Sequence, residues 1–260
     1  MLQNLPPYGY AAVLFLAAII GGVTFLLTQK QSGKGIKLIL SFSAAYLLGL
    51  TLLHLFPELF ASEISNAGWY VLGGFMLQVI LDFFSHGVEH GHAHTNNHHH
   101  HGTKFLFTVM ASLWIHAFIE GMPFGGSFTS HIHDHGHAHG HSHAHDHRSS
   151  LLIGISLHKI TETLVFTALL ASAGLSRFKV IFWMIIFALV APAGAFVHYF
   201  IGDSGLANLD TLTPKVTGVL IGILLHVSTI ILFESEEGHK FNWMKFAAII
   251  LGIAAAAAFI

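Results

Sequence analysis

The chain has 260 residues, of which 53% are hydrophobic and only 9% charged. A soluble domain of this size carries about a quarter charged residues, so most of this surface is expected to face lipid. The net charge of −2 gives no basic field for nucleic acid, and the absence of cysteine excludes disulfides and thiolate metal ligands.

Eight apolar runs approach the length a bilayer demands, about 20 residues. They cover residues 8–27, 36–60, 68–84, 104–125, 151–174, 178–201, 214–233 and 242–260. No basic residue precedes the first run and no small-residue cleavage site is clear, so it is expected to remain as a helix rather than a signal peptide. Helices are expected throughout, because they satisfy their own backbone hydrogen bonds in lipid. Glycines recur in the runs, at Gly21, Gly22, Gly73, Gly74, Gly125, Gly126, Gly218 and Gly222. Gly218 and Gly222 form a small-xxx-small pattern that lets helices approach closely. The fold class expected is an all-α integral membrane protein, one transmembrane domain over 1–260 with eight helices in a bundle.

Basic residues give the orientation. Lys30, Lys34, Lys37, Lys104, Arg177, Lys179, Lys240 and Lys245 fall on one side if eight helices alternate, against Arg148 and Lys215 on the other. The positive-inside rule makes the first side cytoplasmic and both termini extracytoplasmic.

Histidine is the unusual residue, with 23 copies. Many fall in two low-complexity segments, "HGVEHGHAHTNNHHHHG" at 86–102 and "HIHDHGHAHGHSHAHDHR" at 131–148. The first belongs to a cytoplasmic loop. The second lies in an extracytoplasmic loop at 126–150. Histidine alternating with glycine, alanine, serine or aspartate cannot build a core, and imidazole suits zinc, nickel, copper and iron. Weak, multi-site metal capture is the expected role of His131, His133, His135, His137, His139, His141, His143, His145 and His147.

Ionisable residues inside a spanning run are functional candidates. Three runs carry His-x-x-x-Glu: His54 and Glu58 in the second, His116 and Glu120 in the fourth, His158 and Glu162 in the fifth. At this spacing both side chains of a pair leave one helix face. Two facing pairs supply two imidazoles and two carboxylates, a complete four-ligand set for zinc that also offers oxygen to Fe(II) or Mn(II). His226 stands alone in the seventh run and is either a pathway residue or a packing histidine. His198 reads as interfacial. Asp82 and Gln78 either line a conduit or cap a helix end.

These residues resemble the ZIP family of divalent metal transporters. That family has eight spanning helices, outward termini, His-Asn-x-x-(Asp/Glu)-Gly on its fourth helix and His-(Glu/Asp/Lys)-x-Pro-(His/Glu) on its fifth. "HAFIEG" and "HKITE" stand in the equivalent places, "LLGLTLLHLFPE" resembles the family's His-x-x-Pro segment, and "APAG" at 191–194 resembles its Glu-Pro-x-Gly segment. The departures are Ala117 for the asparagine, Ile119 and Thr161 for the prolines, Ala191 for the sixth-helix glutamate and Lys159 for a carboxylate. Those positions hold the second ion in two-metal members. The resemblance therefore implies a single metal site of His116, Glu120, His158 and Glu162, with Lys159 supplying the charge of the second ion. Lacking the prolines, the fourth and fifth helices should run straighter.

The resemblance implies an importer in the plasma or inner membrane. Its cargo is zinc first, with Fe(II), Mn(II) and cadmium as alternatives, carried by an elevator-like movement of one helix bundle against another. Metal would enter from the 131–147 loop and leave inward past His54 and Glu58 or a related polar track, with Lys159 and His226 in the pathway. No catalytic cofactor and no nucleic acid are expected; the partners are the metal ion, the bilayer and a second copy in a homodimer. A cation-diffusion-facilitator exporter would share the histidine loops, but "FAAIILGIAAAAAFI" leaves no room for its soluble C-terminal domain. An intramembrane zinc hydrolase would share the ligands, but no His-Glu-x-x-His motif is present.

Overall fold

A computed structural model describes residues 5–28, 33–62, 64–85, 103–126, 147–233 and 242–258. Among them the chain is all-helical. The helices are α1 (Pro7–Thr28), α2 (Gly33–Leu50), α3 (Phe56–Ala61), α4 (Ala67–Ser85), α5 (Thr103–Gly121), α6 (His147–Ser172), α7 (Arg177–Asp203), α8 (Leu209–Phe233) and α9 (Trp243–Ala257). A π-helical turn, Thr51–Leu55, joins α2 to α3, so the two read as one rod, with Pro57 in the first turn of α3. A 3-10 turn, Met122–Gly125, closes α5.

Among the described residues seven helices, counting α2 through α3 as one, are long and apolar enough to cross a membrane, which makes this a multi-pass membrane protein by length and composition. The eighth expected run forms α9 of 15 residues, about 22 Å at the rise of an α-helix and shorter than the roughly 30 Å hydrocarbon core. The lipid-facing surface is apolar: Leu27, Phe83, Phe107, Phe178 and Phe233 are all more than 70% exposed. In water such patches would drive aggregation.

Close contacts fix the helix directions. Arg148 lies over the Tyr10 ring, and a Cβ at Gly21 would collide with the Ile160 carbonyl, so α1 and α6 run parallel. Gly74 meets Val219 and Gly222 meets Phe75, which aligns α4 with α8. Trp114 stacks near Trp183 and Gly125 abuts Ala195, aligning α5 with α7. Gly252 touches Phe42 and Tyr46, and His54 reaches Ala256, aligning α2 with α9. The start of α1 and the end of α9 thus lie at one end of the bundle. α4 ends and α5 begins, at residues 85 and 103, at the opposite end. Of the glycines singled out in the sequence, Gly73 meets nothing within 4 Å and serves no contact.

Three apolar clusters hold the bundle. One gathers Tyr10, Leu14, Tyr46, Leu47, Phe124, Leu151 and Ile155 toward the end where α1 starts. A second joins α5, α6 and α7 through Val109, Leu113, Ala117, Phe166 and Phe187 toward the opposite end. A smaller third joins α2 to α8. The candidate site lies between the first two.

Candidate metal centre

α5 runs as a regular helix through His116 and Glu120, and α6 is unbroken through His158 and Glu162. The proline after Glu120 is Pro123, in the 3-10 turn, where it ends the helix without interrupting the ligand pair. The i, i+4 spacing turns each pair toward the other helix. The four side chains meet with one ligand atom from each within 4.8 Å of the others. All four are buried. Among the described residues, this is the one His/carboxylate group with the geometry to hold a metal ion.

Glu120 Oε1 lies 3.1 Å from His116 Nε2 and 3.8 Å from His158 Nε2. The two imidazole rings stand edge to face, 5.9 Å between centroids. His116 Nδ1 is 2.9 Å from Gln78 Oε1 on α4. With the Nδ1 proton donated to Gln78, Nε2 keeps its lone pair for a metal. Among the described residues, His158 Nδ1 and Glu162 Oε1 have no hydrogen-bond partner, although both are buried. Buried polar atoms left in this state are costly, and a bound ion would satisfy the carboxylate oxygen.

Lys159 completes the cluster. Its Nζ lies 2.5 Å from Glu120 Oε2 and 2.5 Å from Glu162 Oε2, with the Phe187 ring 5.7 Å away. An ammonium 2% exposed is tolerable in a membrane protein only with such partners.

The neighbouring positions are apolar. Ala117 sits in the α5–α6–α7 cluster among Phe166 and Phe187. Ala191 is 3% exposed, and its carbonyl lies so close to Gly121 that a Cβ there would collide with it. Thr161 donates its hydroxyl to the His158 carbonyl one turn back instead of joining the ligands.

His54 and Glu58 do not join the cage. His54 Nε2 lies 3.3 Å from the Ala256 carbonyl of α9. Tyr46 Oη donates to Ser150 O at 3.1 Å, placing those residues at a similar level of α2 and α6. His54 lies eight residues beyond that level in one direction and His158 eight in the other, a separation of roughly 20 Å along the axis. It lies on the side of the cage where α1 starts, away from the end of α4 and the start of α5.

His226 has a partner. Its Nε2 is 3.9 Å from Asp82 Oδ2 on α4, and its ring stands edge-on to Phe75. Gln78 and Asp82 are four residues apart on one face of α4, so a polar step leads from the cage toward the 86–102 end. Sequence reasoning left both unassigned. The i, i+4 spacing of Gln78 and Asp82 was the available signal, and it needed the α4–α5 register to become readable. His198 is buried in the bundle, its Nε2 3.1 Å from Thr213 Oγ1 between α7 and α8.

At the opposite end, Arg148 donates to the Gly126 carbonyl. Of the histidines expected to capture metal, His147 is the first residue of α6. His131, His133, His135, His137, His139, His141, His143 and His145 lie outside the described residues, as does the segment 86–102. Residues 147–150, placed in the extracytoplasmic loop by sequence, belong to α6.

Comparison with known proteins finds no protein-family model that matches the chain and no curated protein that matches it.

Proposed function

We propose that this protein is a facilitative transporter that carries a divalent transition-metal ion into the cytoplasm through the cage of His116, Glu120, His158 and Glu162, as its resemblance to the ZIP family implies. Zinc is the first cargo, with Fe(II), Mn(II) and cadmium as alternatives. The observation that carries this reading is the cage: four buried ligand atoms within 4.8 Å, inside a bundle of membrane-length helices. Such groups are rarely kept within a membrane without a functional role. Two imidazoles and two carboxylates match a four-coordinate zinc set and release an ion more readily than thiolates would.

The route enters from the end where α1 starts, where the 131–147 histidines collect metal. It passes the cage and continues along Gln78, Asp82 and His226 toward the 86–102 segment. A set of four protein ligands leaves no open position for a reactive water, which favours transport over hydrolysis. Histidine must be neutral to bind, so acidifying the outside weakens transport.

The test is zinc uptake by proteoliposomes holding a zinc-sensitive dye. The full chain accumulates zinc. Both Glu120→Ala/Glu162→Ala and His116→Ala/His158→Ala fall to the background of protein-free vesicles; the histidine variant leaves the Lys159 contacts in place. Uptake by either folded double variant at the rate of the unaltered chain refutes the reading.

A further inference from the structure

We propose that Lys159 sets which metals the cage accepts, by occupying one oxygen of each carboxylate and restricting both to single-oxygen ligation. This rests on reading the cage as the cargo site. The geometry is specific. The Lys159 ammonium touches Oε2 of Glu120 and Oε2 of Glu162, each at 2.5 Å. Glu120 Oε1 is turned away from it, toward the two histidines. Glu162 Oε1 is left without a hydrogen-bond partner among the described residues.

A metal entering between the helices therefore meets two imidazole nitrogens and two Oε1 atoms. That set is four-coordinate and mixed nitrogen and oxygen. Zn(II) and Co(II) accept it readily. Mn(II) favours six oxygen-type donors, and a carboxylate that could bind through both oxygens would help supply them. Lys159 closes that option.

The ammonium also fixes the charge. Two carboxylates and one ammonium leave the cage at −1, so a divalent ion makes it +1. Without the ammonium the cage is −2 and the loaded site neutral. In a poorly screened interior this difference is large, so Lys159 weakens retention of every divalent ion as well as favouring small ones. The ammonium cannot leave easily. It is 2% exposed, and Phe187 lies against it.

The experiment uses Co(II) as an optical probe on the purified full chain. The His116→Ala/His158→Ala variant serves as the blank for cobalt bound by the histidine segments. The difference spectrum of the unaltered chain shows the intense visible bands of four-coordinate cobalt. In Lys159→Gln, whose side chain is shorter than the lysine arm and carries no charge to bridge the two Oε2 atoms, those bands weaken to the pale spectrum of five- or six-coordinate cobalt. Mn(II) also displaces cobalt from Lys159→Gln at a concentration at least about tenfold lower than from the unaltered chain.

A weak, six-coordinate spectrum in the unaltered chain overturns the proposal, and this arm needs no variant at residue 159 to fold. A Lys159→Gln spectrum and Mn(II) competition identical to the unaltered chain also overturn it, while leaving the cage as a metal site. A difference spectrum of zero removes the cage reading itself, and this proposal with it.

Discussion

At the scale of single residues, the site depends on groups that orient ligands as much as on the ligands. His116 and Glu120, and His158 and Glu162, were legible in the sequence because i, i+4 spacing commits both members of a pair to one face. Gln78 was not legible in the same way. Its contact with His116 Nδ1 depends on where α4 settles against α5, and spacing within one helix carries no information about that. Metal-binding histidines held by such partners typically lose about 10–100-fold in affinity when the partner is removed. Gln78→Leu should therefore raise the half-saturation concentration for zinc uptake by about that factor. An unchanged half-saturation in Gln78→Leu would show that His116 needs no such support. Lys159 was legible as a cation beside the ligands, but its bridging of two carboxylates follows from the α5–α6 spacing.

At the scale of helices, backbone contact does much of the positioning. Gly121 directly follows Glu120, and its α-carbon faces the Ala191 carbonyl of α7. A methyl there must push α5 away from α7, and overpacking of this kind costs about 1–3 kcal/mol. Gly121→Ala should lower the thermal unfolding midpoint in detergent and also reduce uptake, because Glu120 moves with the backbone. Gly73→Ala, where no atom lies within 4 Å, should leave both unchanged and is the matched control. Equal midpoints for the two variants would contradict the close α5–α7 approach. The sequence showed the glycines and their recurrence. It could not separate Gly74, which meets Val219, from Gly73, which faces outward, since adjacent helix positions differ only in the direction a neighbour lies. The π turn at Thr51–Leu55 was also hidden, although Pro57 marked where α2 departs from regular geometry.

At the scale of the whole molecule, apolar runs separated by polar segments made the helical bundle readable, because lipid admits few other solutions. Pairing was not readable: which helices lie parallel emerges only from contacts such as Tyr10 with Arg148 and Gly252 with Tyr46. The same contacts place His54 and Glu58 on the side of the cage where α1 starts, away from Gln78 and Asp82. The alternating layout has a direct test, since the chain lacks cysteine and any introduced thiol is unique. Ser204→Cys follows α7 at the end where α1 starts, and Ser176→Cys precedes α7 at the other. A membrane-impermeant thiol reagent applied to intact cells should label Ser204→Cys directly and Ser176→Cys only after permeabilisation. The reverse pattern would invert the orientation drawn from the lysines and arginines.

The claim on which the rest depends is that two imidazoles and two carboxylates from α5 and α6 hold one cargo ion. Anomalous diffraction at the zinc edge, from crystals of the full chain grown with zinc, tests it most directly. A single strong peak is expected at the cage, with His116, Glu120, His158 and Glu162 each supplying one atom about 2.0–2.2 Å from it. Zinc density elsewhere in the crystal with none between these four residues would contradict it.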